Sequence, residues 1–466
     1  MRAVLPPRAF APLLALLATG CFNKIELAVA VIAPDGGNPF HGPDAATQAR
    51  ATVENGLGGP ITVPVAANGG FTLGLDLTAV RRSSRLRIEA LRNGLVIGSG
   101  ATPPVFWDRL AASVVPVYMQ RSDTVVPAPA AVSLETPRTA PVVVPINSPF
   151  VAVFGGNDTE AAVDVLDLFN LGRPTNMSVL RAPYTGALHA VNLDGVRVLV
   201  LKGCQATVWN SASNTFEGTR ENVPPPERCD MTRSTLVQDP LGGGYFVGGL
   251  RMGMPSARVD RVRNDGTWVQ GVPMVTPRVE PAAVIVRDRE LLVLGGQADA
   301  TSPALEHYGL DGSVPMDRRA QRTGDADLDA RTSAAMVRVG DMAYALGGAR
   351  VGTTDLATSD AVLDLACLDA AMGCPLLLRT APLLTTRRRD ALAAVAEGDQ
   401  VLVVGGTNAS GAVEAADRVD GTMPRTPVAG GVAGMLGAQG LALARAHNGS
   451  VVIAGGGQRG VWFFRH

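Results

Sequence analysis

The sequence predicts an all-β chain, with a seven-bladed β-propeller over residues 131–466 preceded by a small β-sandwich over 25–121. Three observations predict it. An apolar strand ending in glycine recurs at intervals of 46–58 residues, a period that belongs to propellers. Gly 53 and Pro 33 are scattered between short apolar runs, as turns between many strands require. The 466 residues are 46% hydrophobic and 18% charged, which is too long for one ordinary core and too apolar for disorder.

The amino terminus reads as a removable leader. Arg2 and Arg8 precede the apolar run Ala9 to Ala18, which is too short to span a membrane, and small residues follow it. The end of this segment, Ala18-Thr19-Gly20-Cys21, resembles a bacterial lipobox, although Ala18 stands where Leu is usual. That resemblance implies a signal peptide over 1–20, lipidation of Cys21 and an anchored start over 21–24. Phe22 follows, with none of the aspartate that resembles an inner-membrane retention signal, so the expected location is the outer membrane, the alternative being periplasmic or secreted. Two or more acyl chains anchor firmly where one does not.

Residues 25–121 contain about seven β-rich runs separated by turn signals such as Asn93-Gly94, the strongest short hairpin signal. Their number and length suit an immunoglobulin-like or transthyretin-like sandwich. Residues 122–130, with Pro127 and Pro129, read as a stiff linker.

Beyond the linker the glycine-ended strand appears at Gly155-Gly156, Gly248-Gly249, Gly295-Gly296, Gly347-Gly348, Gly405-Gly406 and Gly455-Gly456, with a degenerate copy at Lys202-Gly203. Upstream of each lies another β-run, and before several an arginine beside Pro or Thr: Arg138, Arg278, Arg331 and Arg387. Downstream come a third and a fourth strand, clearest at Val208-Trp209-Asn210 with Asn214-Thr215-Phe216, and at Val259-Asp260 with Thr267-Trp268. This unit resembles the kelch repeat, with its four-stranded blade and its Gly-Gly closing strand two. The last repeat lacks a fourth strand, and Ala131 to Thr136 is the expected strand that closes the ring.

Besides Cys21 the chain holds Cys204, Cys229, Cys367 and Cys374, which allow three pairings. Blade topology puts Cys204 and Cys229 on one face and brackets a single loop with Cys367 and Cys374, so those two disulfides are expected.

The residues that carry chemistry are sparse. His41, His189, His307, His447 and His466 offer no evident copper set, with His189 and His447 expected in first strands as structural imidazoles. Asp325, Asp327 and Asp329 alternate as in a calcium loop, but Ala330 and Met336 stand where Gly and Glu are wanted, which favours a solvated acidic turn. Arg387, Arg388 and Arg389 read as a solvated loop, the alternative being a cluster that grips a carboxylate or sulfate. No phosphate loop, nucleophile elbow, His-Glu-x-x-His or Cys-x-x-Cys occurs. Basic and acidic residues, 41 against 42, give no drive toward nucleic acid. The expectation is a non-enzymatic envelope protein without cofactor, which binds a protein or glycan. The alternatives are a kelch-fold sugar enzyme of epimerase type and a structural part of a surface or secretion assembly.

Overall fold

The apolar strands that end in glycine become the second strands of seven four-stranded antiparallel sheets in a computed structural model of the chain. The structure describes residues 26–466 except 35–36, 55–58, 76–82, 108–113, 158–161, 175–179, 182–183, 187, 218–222, 230–232, 288–289, 298–300, 310–319, 322, 324, 369–376, 421–422 and 429–439. The leader, Cys21 and Cys374 therefore lie outside the described residues.

Sheets I to VII span 142–181, 189–217, 235–270, 282–321, 335–381, 392–427 and 441–465. Their first strands touch in a closed circuit, from sheet I through sheet VII and back to sheet I, so the arrangement is all-β and propeller-like. The second strands, such as Val401–Val404 and Glu290–Leu294, are almost wholly buried. Each has a neighbouring sheet on both faces, and this is why they read as continuous apolar runs and not as alternation. The apolar clusters lie between consecutive sheets: Phe154 and Trp209 pack sheet I on sheet II, and Leu292 and Ala345 pack sheet IV on sheet V.

The closing strand differs from expectation. Thr124–Pro127, read as linker, is the outermost strand of sheet VII, with Val125 opposite Phe464 and Pro127 opposite Trp462. An outermost strand bonds on one side only, so it tolerates the proline that suggested a linker. Ala131 to Thr136 is irregular instead: Leu134 donates its N–H to the Arg459 carbonyl at 2.8 Å, and buried Val132 and Leu134 cover the seam between sheets VII and I.

The amino-terminal unit consists of β1 (Glu26–Ile32), β2 (Gln48–Val53), β3 (Ile61–Pro64), β4 (Leu73–Gly74), β5 (Leu86–Arg92), β6 (Leu95–Ala101) and β7 (Val114–Arg121). Asn93 (φ 51°) and Gly94 (φ 78°) make the turn between β5 and β6. The expected pair of facing sheets is one continuous sheet in the order β3-β2-β5-β6-β7-β1-β4 around a single core. The parallel pairing of β1 with β7 joins the two halves, and a parallel contact between chain-distant strands leaves no local signal. From β7 the chain turns at Ser122-Asp123 directly into the closing strand, here β8 (Thr124–Pro127).

Backbone bonds at the glycines join the sheets. The Gly249 N–H of sheet III donates to the carbonyl of Arg278, which leads into sheet IV, at 2.9 Å; Gly296 reaches Arg331 at 2.9 Å and Gly348 reaches Arg388 at 2.8 Å. In the last repeat the donor is Gly457, one residue beyond the predicted pair, which reaches Arg138 at 2.7 Å and so ties sheet VII to sheet I. Gly249, Gly296 and Gly348 hold φ of 95°, 72° and 100°, a region that costs other residues about 1–3 kcal/mol. A Cβ on Gly295 would lie 2.2 Å from the Arg331 carbonyl oxygen, closer than any contact allows.

Gly295→Ala is therefore expected to lower the stability of the protein by about 3 kcal/mol in chemical denaturation, from strain plus a clash with immovable backbone. Gly59→Ala, where a Cβ meets nothing within 4 Å, should stay within about 0.5 kcal/mol of the parent.

Candidate functional site

The loops that enter the first strands carry five buried arginines among the described residues: Arg138, Arg228, Arg278, Arg331 and Arg388. Arg138 is fully buried and donates to Asp164 at 2.6 Å and to the Gly155 carbonyl at 2.5 Å. Arg278 repeats this with Glu306 at 2.7 Å and the Gly295 carbonyl at 2.6 Å, and Arg388 with Asp417 at 2.5 Å and the Gly405 carbonyl at 3.2 Å. Arg228 does the same with Asp260 and Gly248. Arg331 is also buried, and its guanidinium reaches the Ala345 and Ser359 carbonyls near Asp360, whose own carboxylate accepts from Gly347 at 2.7 Å. Every partner acid sits in a third strand. These carboxylates are held by backbone and guanidinium groups.

Arg388 corrects the reading of 387–389 as a solvated run, because it is fully buried while Arg387 is exposed. It also takes the repeat position expected for Arg387. Three adjacent arginines hide the one that turns inward. The missed signal was spacing, since Arg138 to Gly155, Arg278 to Gly295 and Arg388 to Gly405 are each 17 residues apart.

Cys204 and Cys229 form a disulfide, as the topology required. It links the turn after the second strand of sheet II to the loop that leads into sheet III, beside Arg228. Cys367 is also disulfide-bonded, whereas the expected pairing with Cys374 involves a residue outside the described set.

The other candidates do not converge. Asp325 caps a one-turn helix by accepting from the Asp327 and Leu328 N–H groups, Asp327 pairs with Arg350 at 2.5 Å, and Asp329 accepts from the Thr323 N–H at 2.7 Å. Each carboxylate serves a different local bond, and Asp327 and Asp329 are buried, which corrects the expected solvated turn. His189 packs edge-on against Phe246, and His307 lies 3.2 Å from Glu290 in a third strand. His447 belongs to the turn after the first strand of sheet VII and not to the strand itself, and Nε2 meets the Ile146 carbonyl at 2.5 Å. Among the described residues no group of three or more His, Cys, Asp or Glu is placed to hold a metal ion.

Loops between strands two and three and between consecutive sheets lie at one end of the channel ringed by the first strands. Around this mouth stand Ala140, Arg233, Glu280, Ser333, Asp390 and Gly440, all at positive φ between 48° and 73°. Their backbones interlock, with the Glu280 N–H on the Arg233 carbonyl at 2.8 Å and the Ala140 N–H on that of Gly440 at 2.7 Å. Arg233 and Glu280 form an exposed ion pair at 2.7 Å. The same face carries the hairpin Leu250 to Pro255, where Met252 and Met254 are 88% and 67% exposed.

The opposite end holds the amino-terminal unit. Glu397, in the first turn of sheet VI, is nearly buried and receives Arg85 at 2.5 Å and Arg87 at 3.3 Å from the amino-terminal unit and Arg465 of sheet VII at 2.6 Å. Ser148 of sheet I reaches the Pro104 carbonyl at 3.3 Å, and Phe169 packs against the amino-terminal core. Burial by itself raises the Glu397 carboxyl pKa, but Arg465, Arg87 and Arg85 pull it below the ordinary carboxylate range.

A comparison with protein-family models gives no match, and neither does one with curated proteins. Among solved structures the chain is similar to one titled "Streptogramin B lyase structure", at 10% identity and TM-score 0.48, covering 72% of this chain and 96% of that chain.

Because the folded pKa of Glu397 is depressed, its stabilisation is present above the ordinary carboxylate value of about 4.3 and is lost as pH falls through the folded value. Glu397→Gln is expected to cost about 3 kcal/mol at pH 7, as for a broken buried pair, with the gap to the parent narrowing below pH ~4.3 in denaturant titrations.

Proposed function

We propose that the chain is a cell-envelope lipoprotein, anchored to the outer membrane through Cys21, whose seven-bladed kelch-like propeller is a non-enzymatic scaffold for a protein or glycan partner. The seven sheets, their closed circuit and the glycine joints support the seven-bladed reading. The single observation that carries the functional reading is the mouth on the loop-rich face. Among the described residues there, Arg233 and Glu280 form an exposed pair with each other, and a sugar enzyme would instead need buried acids and bases converging there. The acids nearest the glycine pairs are bound to structural arginines. With the amino-terminal unit on the other face, the face that carries Met252 and Met254 is left toward solvent, and flexible thioethers adapt well to a partner surface.

The test is purification of the mature protein from membranes, with mass spectrometry of Cys21 and of captured partners. An acylated Cys21 and a partner whose capture falls at least tenfold in the doubly substituted Met252→Ser, Met254→Ser protein are expected. An unmodified Cys21 contradicts the anchor, and turnover of a sugar substrate contradicts the scaffold.

A further inference from the structure

The end of the central channel on the amino-terminal side holds a cavity of about 670 Å³, within the range of small-ligand sites. It lies where the first strands of sheets I, II, III and VII run into their first turns. Its walls are apolar, from Val142, Val144, Ala190, Leu236 and Leu443.

The polar groups at its rim are almost all occupied by the protein. Asp194 accepts from the Val196 and Arg197 N–H groups and pairs with the Arg197 guanidinium at 2.7 Å. Asp239 accepts from the Leu241 N–H at 3.0 Å and pairs with Arg261 at 3.1 Å. Asn192 donates to the Pro145 carbonyl and accepts from Gly195, while the Gln238 amide clamps the Asn192 backbone through both of its ends. Arg445 is different: it lines the same cavity, is exposed, and among the described residues meets no carboxylate.

We infer that this cavity binds an amphiphile with an apolar chain and one carboxylate, the chain lying along the first strands and the carboxylate on Arg445. Each element of the ligand follows from a feature of the walls. Apolar side chains favour burial of hydrocarbon at roughly 25 cal/mol per Å². A guanidinium fork matches a planar carboxylate in bidentate fashion. Both rim carboxylates are neutralised by their own arginines, so they neither attract a cation nor repel an anion strongly. The occupied amides leave little for a polyol to bond. The site is at the opposite end of the channel from the mouth proposed for the macromolecular partner, and the two readings stand or fall separately.

Titration calorimetry of the mature full-length protein with octanoate, 1-octanol and octylammonium tests the inference. Octanoate is expected to bind at least tenfold more tightly than octanol, with octylammonium weakest, and Arg445→Gln should bring octanoate down to the level of octanol. Equal affinity for the three probes, or octanoate binding unchanged in Arg445→Gln, would overturn it. A photoactivatable octanoate analogue on the unsubstituted protein gives an answer independent of any variant's folding. Labelling within 142–145, 190–195 or 443–445 is expected, and labelling confined elsewhere, or none, would overturn the site.

Discussion

The bond from a glycine N–H to the arginine carbonyl of the next sheet is the constraint on which the rest of the structure depends. Four-stranded sheets can pack face to face at many angles, because apolar contact is not directional. A backbone bond at 2.8–2.9 Å between Gly249 and Arg278, Gly296 and Arg331, or Gly348 and Arg388 selects one placement at those junctions, and the Gly457 bond to Arg138 joins the seventh sheet to the first in the same way. The close approach leaves no room for a side chain on Gly295, and the positive φ of its neighbour Gly296 excludes most residues there.

The buried arginines support this joint from within. Arg138, Arg278 and Arg388 each lend the backbone carbonyl to the preceding sheet while the guanidinium reaches a glycine carbonyl and a third-strand acid of their own sheet. A buried ion pair loses much of its attraction to desolvation unless further bonds complete it. Here the carbonyls of Gly155, Gly295 and Gly405 complete it, so one residue fixes the loop in two directions. In sheet II no arginine among the described residues fills this role, and the Cys204–Cys229 disulfide makes the connection to the loop beside Arg228 covalent. The same chemistry occupies the acidic side chains near the glycines, Asp164, Glu306 and Asp417.

Much of this was legible in the sequence because it is local and repeated. The glycine-ended strands, the strand count of the amino-terminal unit, the Asn93-Gly94 turn and the Cys204–Cys229 pairing all follow from patterns within one repeat or one hairpin. What escaped was set by distant contact. The strand Thr124–Pro127 has the composition of a linker and becomes a strand only because Phe464 and Trp462 face it. The parallel pairing of β1 with β7 joins segments about ninety residues apart. Arg388 was masked by two arginines beside it, and the cavity near Arg445 is assembled from four sheets, none of which carries a motif.

The two ends of the channel thus differ in character. One is covered in part by the amino-terminal unit, which is tied down by Arg85 and Arg87 on Glu397 and by the direct run of β7 into the closing strand. The other presents an interlocked collar of backbone with exposed, mutually paired charges and a methionine hairpin. The collar is held by the glycine joints, so the most direct measurement is native-state hydrogen exchange of the Gly249, Gly296 and Gly348 amides. If these bonds set the placement of the sheets, the three amides exchange only with global unfolding, as slowly as the buried second strands. Exchange at the rate of exposed loops, with the second strands still protected, would contradict the account.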